Sequence, residues 1–265
     1  MPNAGRLRYL EAPALGARPR GTLLLLHAFP LNARMWEPQL ALAAHGWRVI
    51  APHLRGFDAG VGDPPASTVD DYAGDVIDLL DALHVTEAVV GGLSLGGYVA
   101  FAMLRRANRY VRGLILADTR SQADSPESVA GRKRMLQLLA DSGSAALADE
   151  MVPKLLGMST RASHPEIADR VRGIILSNPP EAIAGGLRAL MSRPDSTELL
   201  STIRCPALIV VGEEDGLTPP ALSEEMHRAV AGSELIAIPA AGHLSSFEQP
   251  AAFNAALAGF LTHRV

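Results

Sequence analysis

A single cysteine, Cys205, among 265 residues leaves the chain no means of forming an intramolecular disulfide. It sits just before the apolar run Pro206–Val211 and reads as a small buried apolar side chain. Long hydrophobic runs are missing too, and none approaches the roughly 20 residues that cross a bilayer. The segment Met1–Pro13 carries arginines but no apolar stretch of signal-peptide length, so a cytoplasmic location is the expectation. Nor is there a concentrated basic face. With 24 Lys and Arg against 28 Asp and Glu, scattered along the chain for a net charge of −4, nucleic acid and anionic membranes are excluded as expected partners. Internal repeats and low-complexity segments are absent. What remains is 48% hydrophobic and 20% charged, the balance of a folded globular protein. Its length permits one large core, or one domain carrying an insertion.

The first half alternates short β-rich runs with helical patterns, the rhythm of a parallel sheet covered by helices on both faces. Strands are expected at Thr22–His27, Arg48–Pro52, Ala88–Gly92 and Gly113–Ala117. Helices are expected at Trp36–His45, Asp70–Leu83 and Leu95–Arg105, with Ser67 or Thr68 as the start signal of the second. From about residue 121 to 194 the strands stop. Amphipathic stretches follow at Ser128–Asp141, Ala145–Leu156, Pro165–Leu176 and Glu181–Met191. The strand pattern resumes at Ala207–Val211, then a helix (Ala221–Val230), a strand (Glu234–Ile238) and a closing helix (Ala251–His263). The expected organisation is an α/β core, residues 1–120 and 195–265, with a helical cap at 121–194 over the C-terminal edge of the sheet, where ligands bind in open α/β folds.

Gly92-Leu93-Ser94-Leu95-Gly96 follows the run Ala88–Val90 and precedes the helical pattern Tyr98–Leu104. This is the strand–turn–helix context of a nucleophile elbow, in which a serine on a strained turn projects its hydroxyl upward and flanking glycines remove colliding side chains. His27-Ala28-Phe29-Pro30 directly follows the Leu23–Leu26 strand. Its position suits a loop whose Phe29 N–H, with that of Leu95, forms an oxyanion hole. His27 itself reads as a residue that holds this loop by hydrogen bonds.

Gly242-His243 follows the Leu235–Ile238 strand and places an imidazole at the same sheet edge, which fits a general base in the chain order Ser, acid, His. The other histidines (His27, His45, His53, His84, His164, His227 and His263) fall mostly in helices, helix ends or earlier loops. Two acids could orient His243. Asp215, in Gly212-Glu213-Glu214-Asp215, reaches it from the neighbouring strand end, and Asp118 ends the Gly113–Ala117 strand. Asp215 is the first choice and Asp118 the rival, while Glu213 and Glu214 read as solvated loop charges.

The His27 loop, the Ser94 elbow, the Asp215 turn and the His243 loop, in this order, resemble the α/β-hydrolase family over nearly the whole chain. The segments His27-Ala28-Phe29-Pro30-Leu31 and Gly242-His243-Leu244 look like the small bacterial carboxylesterase, enol-lactonase and non-haem perhydrolase group. Two departures bear on pocket shape: Ala28 replaces the usual glycine, and the segment Arg55-Gly56-Phe57-Asp58-Ala59-Gly60 is less regular than the family's loop. The resemblance implies a serine carboxylesterase acting through an acyl-enzyme without metal or organic cofactor on a small-molecule ester or lactone. Lactonase and carbon–carbon bond hydrolase activities use the same residues. A ligand receptor on the same scaffold is the alternative from outside enzymology. Pro30 after Phe29 is associated, in perhydrolase-like members, with hydrogen peroxide as acyl acceptor.

The cap region contributes Met135, Met151, Met158 and Met191, read as packing between helices and sheet. Its arginines (Arg132, Arg134, Arg161, Arg170, Arg172, Arg188 and Arg193) offer bidentate partners for a substrate carboxylate, although most are expected to be solvated.

Overall fold

The computed structural model describes residues 2–16, 19–57 and 65–265. Eight strands build one sheet: β1 (Asn3–Ala4), β2 (Leu7–Ala12), β3 (Gly21–Leu26), β4 (Trp47–Pro52), β5 (Ala88–Leu93), β6 (Val111–Ala117), β7 (Ala207–Gly212) and β8 (Glu234–Ile238). Their spatial order is β1-β2-β4-β3-β5-β6-β7-β8. The pairs β1–β2 and β2–β4 are antiparallel, and every later pair is parallel. The central strands are aliphatic and buried on both sides, as in Leu23–Leu26 and Ala207–Val211, which is what a sheet covered by helices on both faces demands. Each such leucine or valine contributes about 1.5–3 kcal/mol when fully buried. The six expected strands all form, within two residues at either end. The edge pair β1–β2 was not anticipated, although Leu7 and Tyr9 point inward in the alternation of a strand with one buried face.

The chain runs from β3 to β4 on one side and returns past β3 to β5, so the strand order reverses between β3 and β5. The loops leaving these two strands therefore open a crevice at the C-terminal sheet edge. Register keeps the strand ends level: Leu26 pairs with Gly92, Gly92 with Leu116, and Gly212 with Ile238. The loops bearing Phe29, Ser94, Asp118, Asp215 and His243 all leave this edge.

Ten α-helices accompany the sheet among the described residues: α1 (Val69–Ala82), α2 (Leu95–Ala107), α3 (Pro126–Leu155), α4 (Met158–Ser163), α5 (Pro165–Leu176), α6 (Pro180–Ser192), α7 (Thr197–Leu200), α8 (Pro220–Ala229), α9 (Ser245–Glu248) and α10 (Pro250–His263). Helix α1 starts at Thr68, which forms a reciprocal capping box with Asp71. The segment Ala33–His45 is a run of 3-10 turns rather than the expected α-helix. Pro38 inside it supplies no N–H and its ring obstructs the preceding α-helical turn.

Helices α3 to α6 form the insertion between β6 and β7. Helix α3 is interrupted at Gly143, whose φ of 77° is left-handed, so the two expected helices Ser128–Asp141 and Ala145–Leu156 meet there at a break. The insertion is seated by polar contacts as well as apolar ones. Asn32 Nδ2 donates to Asn178 Oδ1 at 2.8 Å, and Asn178 Nδ2 donates to the Pro30 carbonyl at 2.8 Å. A Cβ on Gly186 would meet the Phe29 ring at 2.8 Å, so α6 lies directly on the proposed oxyanion loop. Cys205 is half-buried, less enclosed than its apolar surroundings suggested. No helix among the described residues is long and apolar enough to cross a membrane.

Candidate active site

Ser94 occupies the turn between β5 and α2 with φ 54° and ψ −111°, a conformation that L residues rarely adopt. The surroundings enforce it. Ser94 N donates to the Ala117 carbonyl at 3.0 Å, and the Ser94 carbonyl accepts from Gly97 N at 2.9 Å and Thr119 Oγ1 at 3.0 Å. The flanking glycines are sterically required, since a Cβ on Gly92 would lie 2.2 Å from Gly96 and one on Gly96 would lie 2.1 Å from the Leu26 carbonyl. A Cβ on Gly97 would strike Thr119 at 2.6 Å. Leu95 opens α2, where a backbone N–H has no acceptor within its own helix.

The loop after β3 is braced by His27. This side chain is fully buried, its Nδ1–H donates to the Ala28 carbonyl at 2.9 Å, and its Nε2 accepts from Leu54 N at 3.0 Å. Both ring nitrogens are thus spent on backbone. Burial pushes its pKa down to about 3, with nearby His53 acting in the same direction against the Ala28 bond, so the ring is neutral and unsuited to be a base in the cavity. Phe29, two residues on, faces the cavity and stacks edge-on against Phe57 at 6.4 Å. Residues 58–60 of the irregular loop lie outside the described residues.

His243 and Asp215 form a buried pair. His243 Nδ1–H donates to Asp215 Oδ2 at 2.9 Å. The rest of the Asp215 carboxylate is occupied by Leu217 N at 2.8 Å, Thr218 N at 3.0 Å and the Thr218 hydroxyl. Burial by itself would raise the Asp215 pKa. The positive imidazole and the His243 and Thr218 hydrogen bonds outweigh it and lower the value. Burial by itself would lower the His243 pKa, and the Asp215 charge and hydrogen bond overcome this and raise it. With Nδ1 committed, Nε2 has no protein partner among the described residues, and His243 lines a cavity of about 280 Å³ together with Ser94, Phe29 and Thr218.

Asp118, the rival acid, is turned elsewhere. Its Oδ1 accepts from Gly212 N at 2.8 Å and its Oδ2 from Ser245 N at 3.3 Å and the Ser245 hydroxyl. It braces the ends of β6 and β7 against the turn after His243. Burial, reinforced by the charge of Asp215, raises its pKa well above the ordinary carboxylate value.

Two further carboxylates escaped the sequence reading. Glu248 is buried, and it accepts from Gly157 N at 2.8 Å, Gly242 N at 2.9 Å and Leu244 N at 3.1 Å. Glu214, expected as a solvated charge, instead accepts from Ser159 N at 2.8 Å and from the Ser159 hydroxyl. Its pKa is lowered by these two bonds. The insertion segment Gly157–Ser159 is thereby clamped between the loops that carry Asp215 and His243. Gly157 and Gly242 touch backbone to backbone, because a Cβ on Gly242 would lie 2.2 Å from Gly157 N. A Gly beside the histidine was the visible half of this contact, while the Glu248 partner, five residues later, carried no local signal.

Of the methionines singled out in the insertion, Met135 and Met151 line the cavity, whereas Met158 is 71% exposed. Of the arginines, Arg132 lines it, joined by Arg120 and by Lys154. Among the described residues no group of three or more His, Cys, Asp or Glu side chains is arranged to hold a metal ion.

The model of the alpha/beta hydrolase family matches residues 23–256. The chain belongs to this family. Similar members include an esterase from Thermogutta terrifontis, solved with malate bound, at 38% identity and TM-score 0.90 over 97% of this chain and 93% of that one. An enol-lactonase from Burkholderia xenovorans is 26% identical with TM-score 0.87, covering 97% and 96% of the two chains. The 3-oxoadipate enol-lactonase 2 of Acinetobacter baylyi is 26% identical across 94% of this chain and 91% of its own.

Proposed function

We propose that this alpha/beta hydrolase cleaves carboxylic esters through an acyl-enzyme on Ser94. Ser94 Oγ attacks the ester carbonyl as His243 Nε2 takes its proton, and the developing oxyanion is met by the Phe29 and Leu95 N–H groups. The carbonyl re-forms as the bond to the alkoxy group breaks, and His243 returns the proton to the departing alcohol. Water then attacks the acyl-enzyme with His243 again as base, releasing the acid and restoring Ser94. Asp215 fixes the imidazole tautomer and stabilises the imidazolium. In this reading residues 121–194 serve as a cap over a core made of 1–120 and 195–265.

The observation that carries the proposal is the 2.9 Å buried contact of His243 Nδ1 with Asp215, beside a serine held at φ 54° on the same cavity. Strain of this kind, costing on the order of 1–3 kcal/mol, persists where the surroundings over-determine it and clusters at reacting sites. Turnover of p-nitrophenyl acetate by wild-type and Ser94→Ala protein tests it. The expected result is loss of turnover at an unchanged melting temperature, and a variant that remains active overturns the nucleophile assignment.

A lactonase is the second reading, favoured by the relatives named enol-lactonase at 26% and 27% identity. The same steps apply, except that the alcohol stays tethered to the acid. Rates on a panel of lactones and open-chain esters of matched size separate the two.

A further inference from the structure

Three guanidinium groups converge on one carboxylate in the wall of the cavity. Arg193 Nη1 lies 2.6 Å from Asp124 Oδ1, Arg120 Nη2 donates to Oδ1 at 2.9 Å, and Arg132 donates to Oδ2 through Nε at 2.5 Å and to Oδ1 through Nη2 at 3.3 Å. The Asp124 side chain is shielded from solvent and that of Arg193 nearly so, whereas Arg120 and Arg132 are each 20% exposed. The layers have distinct surroundings. Arg193 is locked from behind, donating to the Leu190 and Gln122 carbonyls and lying 4.2 Å over the Tyr98 ring. Arg120 and Arg132 line the cavity shared by Ser94 and His243.

Three guanidinium groups share Asp124, and among the described residues only Arg193 has a second carboxylate, Asp195, close enough to feel its charge, so a positive excess remains at Arg120 and Arg132, and no Asp or Glu is among the residues lining this cavity. Burial would raise the Asp124 pKa, but Arg132 and Arg193 pull it below the ordinary value, so the carboxylate stays ionised and cannot absorb more than one of them. A guanidinium carries five N–H donors. Among the described residues Arg120 spends one of its nitrogens, on Asp124, and its buried Nε has no acceptor. Partly buried cations with unspent donors are costly unless something completes them. Asp124 therefore works as a mount that fixes both guanidinium groups at the cavity wall without neutralising them, Arg132 gripped through Nε and Nη2 and Arg120 through Nη2 alone.

We propose that the preferred substrate carries a carboxylate remote from the reacting carbonyl, as in a half-ester or lactone acid derived from a short dicarboxylic acid, and that Arg120 and Arg132 hold this carboxylate. The inference rests on Ser94 and His243 being the reacting pair of the same cavity. Hydrolysis then releases a dicarboxylate, or a hydroxy acid with a second carboxylate, and the reaction that supplies the substrate is one that esterifies or lactonises such an acid.

Monomethyl glutarate and dimethyl glutarate differ in one charge and one methyl group, and they are the probes. Their binding to Ser94→Ala protein is measured by calorimetry, and methanol release from each is measured with wild-type enzyme. The half-ester is expected to bind about tenfold or more tighter than the diester, the discrimination of one charge-assisted contact. Arg120→Gln with Arg132→Gln, in the Ser94→Ala background, should abolish that preference, while Arg132→Lys keeps part of it. Equal or weaker binding of the half-ester overturns the proposal, and that comparison needs no arginine variant to fold. A preference that survives the double replacement in a folded protein overturns the assigned residues. Tight half-ester binding without methanol release sinks the hydrolase reading and leaves the anion site standing. Turnover of the diester without preference for the half-ester does the reverse.

Discussion

Glu248 Oε2 accepts the Gly157 N–H at 2.8 Å while its Oε1 accepts those of Gly242 and Leu244, so one buried side chain joins the helical insertion to the loop of His243. Replacing it by glutamine substitutes an NH2 donor for one of the two acceptors and turns it toward a backbone N–H. An unmet buried donor costs about 1–3 kcal/mol, and each kcal/mol lowers the melting temperature of a chain of this size by roughly 2–4 °C. Glu248→Gln should therefore melt several degrees lower and lose kcat more than KM, because the displaced group is the proposed base. An unchanged melting curve would remove the clamp.

The backbone contact beside it gives a second expectation. A Cβ on Gly157 would lie 2.6 Å from Glu214 Oε2 and 2.8 Å from Gly242 N, and the second of these atoms is backbone that cannot swing away. Gly157→Ala should destabilise the protein by about 1–3 kcal/mol, as overpacking does, and slow ester turnover by moving the histidine loop. Gly173→Ala is the control, since nothing lies within 4 Å of its added carbon. Chemical unfolding of both variants against wild type measures the difference.

The positions of six strands and the loops carrying Ser94, Asp215 and His243 were legible because each rests on a local pattern: an aliphatic run, a glycine-flanked serine, a histidine just past a strand. Strand β2 was missed because its alternation spans six residues next to a polar loop, too short to stand out. The choice between Asp118 and Asp215 stayed open because both follow strand ends, and what separates them is which partner each carboxylate faces. Glu214, Glu248 and Arg193 act across sequence separations of 55, 91 and 69 residues. A tertiary carboxylate clamp leaves no periodic trace, so Glu214 read as a solvated charge and Glu248 gave no signal.

Asp215 is bonded to the His243 ring, whereas Asp118 is bonded to Gly212 and Ser245. Asp215→Asn should reduce kcat by on the order of 10⁴, the effect of leaving a catalytic histidine in the wrong tautomer. Asp118→Asn should reduce kcat less than about tenfold and act mainly on stability, since only a brace is altered. A reversal of this order, measured on p-nitrophenyl acetate, would transfer the acid role to Asp118.

The pH dependence follows from the same pair. In the proposed mechanism His243 must be neutral to take the Ser94 proton, and its pKa is raised because the Asp215 charge and hydrogen bond, with the Asp118 and Glu248 charges, outweigh the lowering effect of burial. The acid limb of kcat/KM should therefore lie above the ordinary histidine value of about 6.5, with activity falling as pH drops through it. Asp215→Asn removes the largest raising influence and leaves burial opposed by the Asp118 and Glu248 charges, so the residual activity should show its limb at lower pH than wild type. Stability carries the opposite signature. The raised His243 value contributes fully below pH of about 6.5 and is lost as pH climbs through the folded-state value, while the lowered Asp215 value contributes above about 3.9 and is lost as pH falls below it. Wild type should thus gain most over Asp215→Asn in melting temperature between these two limits, where the enzyme is stable but its base is protonated. Melting curves and rates taken on the same pH series check this, and a gain that is flat with pH would mean that the pair is uncharged in the folded protein.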